Sequence, residues 1–201
     1  MSRRASSLPA SYFEAIYRED PDPWRFASSD YERAKYAATL AALPRASYPC
    51  ALEVGCSIGV LTSQLARRCA RLLAVDCVEA VLWHARERCA GLPGVEFACM
   101  ELPRELPDGP FDLLLLSEVA YYWSPRDLGL MAAFARHTMA PGGDIVLVHW
   151  TGGTDYPLSG DEAAQRFIDA THAFALPLLH ARAEHYRIDL LRCSQAHPPP
   201  P

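Results

Sequence analysis

From residue 50 onward the chain alternates short apolar runs with stretches whose apolar residues return every three or four positions. Ala51-Leu52-Glu53-Val54, Leu72-Leu73-Ala74-Val75, Val95-Glu96-Phe97-Ala98 and the run 111–116 predict four strands. Residues 60–68, 78–89 and 126–139 predict helices, and the Pro141-Gly142-Gly143 turn introduces a fifth strand over 144–150. Nearly continuous apolar strands separated by amphipathic helices predict a parallel sheet covered on both faces. After a further helix over 161–174, residues 178–183 and 186–191 predict two strands with only Glu184 and His185 between them. So tight a connection suits an antiparallel hairpin and excludes a parallel crossover.

The first 49 residues read differently. Leu8, Tyr12, Ala15 and Ile16 fall at helical spacing until Asp20-Pro21-Asp22-Pro23 breaks the pattern. Ser28-Ser29-Asp30 offers an N-cap for a second helix, with Tyr31, Ala34, Ala38, Ala41 and Ala42 along its apolar side and an end before Pro44. With 201 residues and 50% hydrophobic composition the chain suits one core, so we expect 1–49 to be a helical lid on the same domain as a 50–193 core. Residues 194–201, with four prolines after His197, are expected to be a disordered tail.

Nineteen basic against 24 acidic residues leave a net charge of −5, which argues against nucleic acid or anionic lipid as partners. No apolar run approaches the roughly 20 residues of a membrane span, and the first ten residues lack a signal-peptide pattern, so a cytoplasmic location is expected. The seven cysteines contain no CxxC pair and no zinc-like spacing with histidine. They read as small buried hydrophobes rather than a disulfide framework.

Two segments carry chemistry. The first strand runs into Glu53-Val54-Gly55-Cys56-Ser57-Ile58-Gly59 and then a helix, the place where an open α/β sheet binds its ligand. Gly55 and Gly59 allow a tight turn and close backbone approach, whereas the dinucleotide pattern fails because Ser57 and Val60 stand at its second and third glycine positions. Asp76, ending the second strand 21 residues after Gly55 (76 − 55), offers two carboxylate oxygens to ribose hydroxyls, or else caps the helix that follows.

Together with Phe111-Asp112 and Pro141-Gly142-Gly143, these segments resemble the motif series of class I S-adenosylmethionine-dependent methyltransferases. Asp20-Pro21-Asp22-Pro23-Trp24, Tyr31-Glu32-Arg33, Lys35-Tyr36, Ser117-Glu118-Val119, Tyr121-Tyr122 and His149-Trp150 resemble more narrowly the nodulation protein S family. The resemblance implies a Rossmann-like α/β fold with a seven-stranded, mostly parallel sheet, a C-terminal antiparallel hairpin and an N-terminal helical lid. It implies S-adenosyl-L-methionine as cofactor, with Gly55, Cys56 and Gly59 around its methionine part, Glu53 ordering the loop and Asp76 on the ribose. Cys77, Met100 and Glu101 would meet the adenine, Ser117 would line the same site, Trp24 would wall it, and Arg33 would grip the methionyl carboxylate unless it is a solvated helix residue. Ser57 stands where the general methyltransferase loop has a middle glycine.

Glu118 and His149 end strands at the same sheet edge and are the candidate catalytic groups, although either can instead serve as a cap or backbone partner. Tyr121, Tyr122 and Trp150 offer flat faces to a small-molecule acceptor. The expected reaction is N-methylation of an amino-sugar or oligosaccharide-like acceptor. An O-methyltransferase of a carboxylate or phenolic metabolite, and a non-catalytic cofactor-binding module, are the alternatives.

Overall fold

The computed structural model describes residues 3–195. In chain order the elements are α1 (Ala10–Glu19), α2 (Asp30–Ala42), β1 (Tyr48–Val54), α3 (Val60–Leu65), β2 (Cys69–Asp76), α4 (Glu79–Arg88), β3 (Val95–Cys99), β4 (Phe111–Ser117), α5 (Pro125–Thr138), β5 (Met139–Trp150), α6 (Gly160–Thr171), β6 (Ala175–Arg182) and β7 (Tyr186–Cys193). The strands form one sheet in the order β3-β2-β1-β4-β5-β7-β6. β1 to β5 pair in parallel, while β7 runs antiparallel to β5 and β6 antiparallel to β7.

Because both faces are covered, the central strands are apolar throughout. In β4, Leu114 and Leu116 pack into the layer under α5 and α6 with Met131, Ile145 and Phe167. Leu113 and Leu115 pack into the opposite layer with Leu61, Leu65, Val146 and Tyr36 of α2. Strand order reverses between β1 and β4, and the crevice at their carboxyl ends is where such sheets take ligands.

Three features depart from the sequence pattern. The Pro141-Gly142-Gly143 segment lies inside β5 rather than before it, with an irregular register between Phe111 and Leu113 opposite. Ser194, placed by sequence in a tail, donates its N–H to Phe174 O and accepts from Gly142 N, because β7 extends to Cys193; residues 196–201 of that tail lie outside the described residues.

The third departure concerns α2. Its buried face is Glu32, Lys35, Tyr36 and Thr39, with Ala34 and Ala41 exposed. Ala34 and Ala41 face out, while Ala38 and Ala42 pack at the edge of the core, because partners deeper in the fold satisfy the charged face. The C-terminus of α2 is tied down by Arg68, whose guanidinium donates to Leu40 O (2.5 Å), Leu43 O (3.2 Å), Arg45 O and Ala46 O (3.4 Å). A cation on carbonyls at and just beyond a helix end adds hydrogen bonds and suits the helix dipole. Arg68→Ala is therefore expected to cost about 2 kcal/mol, a fall in Tm of about 4–8 °C on thermal denaturation.

Candidate functional site

The loop after β1 owes its shape to positive φ angles at Gly55 (+78°), Ser57 (+48°) and Gly59 (+75°). A Cβ on Gly55 would collide with Val119 Cγ1, and one on Gly59 would stand 2.9 Å from the Ala85 Cα. Gly55 thus lets the loop approach the β4 end, while Gly59 lets α3 pack on α4. Ser57 holds a conformation that favours glycine and is fixed there by two contacts. Its N–H donates to Asp76 Oδ2 (2.9 Å), and Tyr17 OH of α1 donates to its Oγ (2.6 Å).

Asp76 is the organiser of this side. Its Oδ1 accepts from Val78 N (3.1 Å) at the start of α4, so the carboxylate orders the loop and caps the helix at once. Burial pushes its pKa up to about 6 even though these backbone donors act the other way. An ionised carboxylate has about four lone-pair directions, so the two backbone bonds leave capacity facing the cavity beside it. Glu53 lies beneath the loop, fully buried, with its pKa pushed up to about 7 by that burial.

A cavity of about 370 Å³ opens above the carboxyl ends of the sheet. It brings together Gly55, Asp76, Cys77, Met100, Glu101 and Ser117 on one side. Glu118, Tyr121, Tyr122 and Trp150 also line it, and Trp24, stacked on Phe26 and edge-on to Tyr17, joins it from the lid. Four residues assigned to the cofactor by sequence do not line it. Arg33 is an exposed side chain paired with Asp30 on its own helix, since α2 turns its other face inward. Cys56 points into a small cluster with Ala74 and Leu82, Gly59 packs on α4, and Glu53 is buried within β1.

The acceptor side is built around Glu118, which sits at φ +59° just after β4. Its Oε1 accepts from Lys35 Nζ (2.5 Å), and its Oε2 accepts from Tyr121 OH (2.7 Å) and Trp150 N (2.8 Å). Lys35, 2% exposed, also donates to Glu32 Oε1 (2.9 Å). Two carboxyl groups therefore share one ammonium, and burial pushes the Glu32 pKa up. Sequence reasoning gave Glu32 and Lys35 no role in the site. The available signal was their spacing with Tyr36 and Thr39, which marks one helix face as clearly as the alanines mark the other.

His149 is fully buried and outside the cavity lining; its Nε2 accepts from Ala120 N (3.1 Å). That bond consumes the atom a general base would use, so the histidine fixes the turn carrying Glu118 instead of meeting an acceptor. Burial drives its pKa down to about 4 from 6.5. Neutral His149 therefore contributes stability that is present above the unfolded value and lost as pH falls through about 4. The contribution is about 3 kcal/mol from that displacement. The stability difference between wild type and His149→Asn, followed by denaturant titration from pH 7 to 4, should shrink across this window. Taking the difference removes Asp76 and Glu53, whose raised pKa values act in the opposite direction.

The nodulation protein S family model matches residues 16–139, which span α2, the glycine loop, Asp76 and Glu118. This chain belongs to the nodulation protein S (NodS) family. It is 30% identical to nodulation protein S of Rhizobium tropici over 127 residues, covering 62% of this chain and 53% of that protein. With nodulation protein S of Bradyrhizobium diazoefficiens it shares 33% identity over 120 residues, 59% of this chain and 56% of that one. The NodS-family chain thus spans about half the length of the curated relatives it matches. The crystal structure of N-methyltransferase NodS from Bradyrhizobium japonicum WM9 with S-adenosyl-L-homocysteine superposes with a TM-score of 0.78, covering 92% of this chain and 97% of that one at 20% identity. The fold of this NodS-family member is accordingly the class I methyltransferase fold. Among the described residues no helix is long and apolar enough to cross a membrane.

Proposed function

We propose that this chain is an S-adenosyl-L-methionine-dependent methyltransferase acting on a small polar acceptor, with the amine of an amino-sugar or oligosaccharide-like molecule as the acceptor the site suits best, and that it works in the cytoplasm. The observation that carries the reading is one cavity joining the Gly55–Ser57–Asp76 wall to the Glu32–Lys35–Glu118 network. Its volume lies in the range of small-ligand sites. The donor set also fits the cofactor: Asp76 has carboxylate capacity for ribose hydroxyls, Cys77 and Met100 offer polarizable walls, and Glu101 offers an acceptor at the rim. The family relative crystallised with S-adenosyl-L-homocysteine supports the same assignment.

When bound, the cofactor supplies an electrophilic methyl group on a sulfonium. The chain's own residues then hold and orient the acceptor. Glu118 acts as a fixed negative charge rather than a mobile base, because the chain's own donors on Lys35, Tyr121 and Trp150 hold its carboxylate. Such a charge stabilises positive charge developing on an acceptor nitrogen at no reorganisation cost. With Glu32 on the same ammonium, the network holds two carboxyl groups to one cation, an excess that favours an amine over a carboxylate acceptor. His149 and Trp150 N keep Glu118 in register from β5.

Calorimetry with S-adenosyl-L-homocysteine, followed by mass spectrometry of methyl transfer to a panel of amines, phenols, carboxylates and deacetylated chitooligosaccharides, tests the reading. Binding of the homocysteine product with methylation confined to amines is expected. No heat with that ligand would reject the cofactor assignment, methylated carboxylates would select the O-methyltransferase alternative, and binding without turnover on any acceptor would select the non-catalytic module.

A further inference from the structure

Two buried hydroxyls on the cavity wall have no hydrogen-bond partner among the described residues, Tyr31 Oη on α2 and Thr154 Oγ1 on the segment between β5 and α6. A buried hydroxyl left unpaired costs about 1–3 kcal/mol. Folded chains seldom keep one without an external partner. Tyr31 stands on the acceptor side, and Thr154 lines the same cavity. The Tyr31 ring lies under Lys35 Nζ at 5.2 Å and meets Trp150 edge-on at 5.9 Å, while Thr154 follows Trp150 by four residues (154 − 150). Asp76 and Ser57, by contrast, are already engaged with each other and with Tyr17.

We infer that Tyr31 and Thr154 are specificity-determining residues that hydrogen-bond the hydroxyl or amine groups of the methyl acceptor, selecting a polyhydroxylated neutral or cationic molecule over a carboxylate. The inference rests on the methyltransferase reading above. A hydroxyl can both donate and accept, so two of them suit a ligand rich in hydroxyls. The Glu32–Lys35–Glu118 network beside Tyr31 sets the sign, because its two carboxyl groups share one ammonium and leave acidic groups in excess facing an entering carboxylate. A site built to bond a ligand's polar groups also rejects analogues that lack them, since its own groups would stay unpaired.

Tyr31→Phe and Thr154→Val remove one oxygen each with little change of shape, and three measurements judge them. Removing an unpaired hydroxyl should raise the Tm of the ligand-free protein by about 2 °C or more, whereas a structural hydroxyl would lower it. On protein saturated with S-adenosyl-L-homocysteine, titration with glucosamine trimer should show at least fivefold weaker binding for each variant, with succinate failing to bind the wild type. The affinity for S-adenosyl-L-homocysteine itself should stay within twofold. A fall in Tm, undiminished binding of the trimer to the variants, no binding of the trimer to the wild type, or binding of succinate would each overturn the inference. Loss of S-adenosyl-L-homocysteine binding by the wild type would reject the cofactor assignment instead, and the Tm shifts would still decide whether the two hydroxyls are unpaired.

Discussion

Asp76→Ala is expected to weaken S-adenosyl-L-homocysteine binding by about 2–4 kcal/mol, or roughly 30- to 1000-fold, the scale of losing more than one hydrogen bond to a charged acceptor. The same change should lower the Tm, because Ser57 N and Val78 N lose their shared partner. Both losses come from one carboxylate, so separating them needs a second variant. Asp76→Asn keeps one acceptor oxygen and similar volume, and its amide can satisfy only one of the two backbone N–H groups. Calorimetry on the two variants should give an Asn affinity between those of Ala and wild type. If Asp76→Ala melts lower but binds the ligand as wild type does, the carboxylate serves the fold alone.

Lys35→Met should be costlier still for the fold. Removing one partner of a buried ion pair leaves uncompensated charge and typically costs about 3–5 kcal/mol, and here Glu32 and Glu118 are left facing each other. The two carboxyl groups then favour sharing a proton, so the destabilisation should be largest above neutral pH and smaller in acid, where protonation relieves it. Denaturant titration at two pH values checks this. A loss independent of pH would mean that the lysine contributes through packing. Lys35→Arg should recover part of the loss, since it restores the cation but not the compact geometry of an ammonium.

Much of the fold was legible because strand and helix patterns differ in period. Leu113 to Leu116 read as a strand buried on both faces, and the short gap at Glu184-His185 marked the hairpin, whose connection in the structure is the three residues 183–185. The loop geometry was legible where backbone chemistry dictates residue type, at Gly55 with its positive φ and at Asp76 at the start of α4. Legibility stopped where long-range pairing overrides local polarity. A helix carrying Glu32, Arg33 and Lys35 presents charge on both sides, and only the position of Glu118, 83 residues after Lys35, decides which side turns inward. Which of the two readings of His149 holds was out of reach for a related reason. Its Ala120 N–H partner belongs to a short turn after β4 whose course sequence periodicity does not give.

The charged face of α2 also bears on how this protein can change over time. A helix held by apolar contacts can be exchanged for another of similar volume, but this one carries half of a charge balance whose other half is at the end of β4. Loss of the cation at position 35 is best offset by a change that removes a carboxyl group facing it, and loss of Glu118 leaves Lys35 with Glu32 alone. The lid and the sheet are thus bound to diversify together, and a chimaera that imports a lid from a relative must also import the residue at position 118.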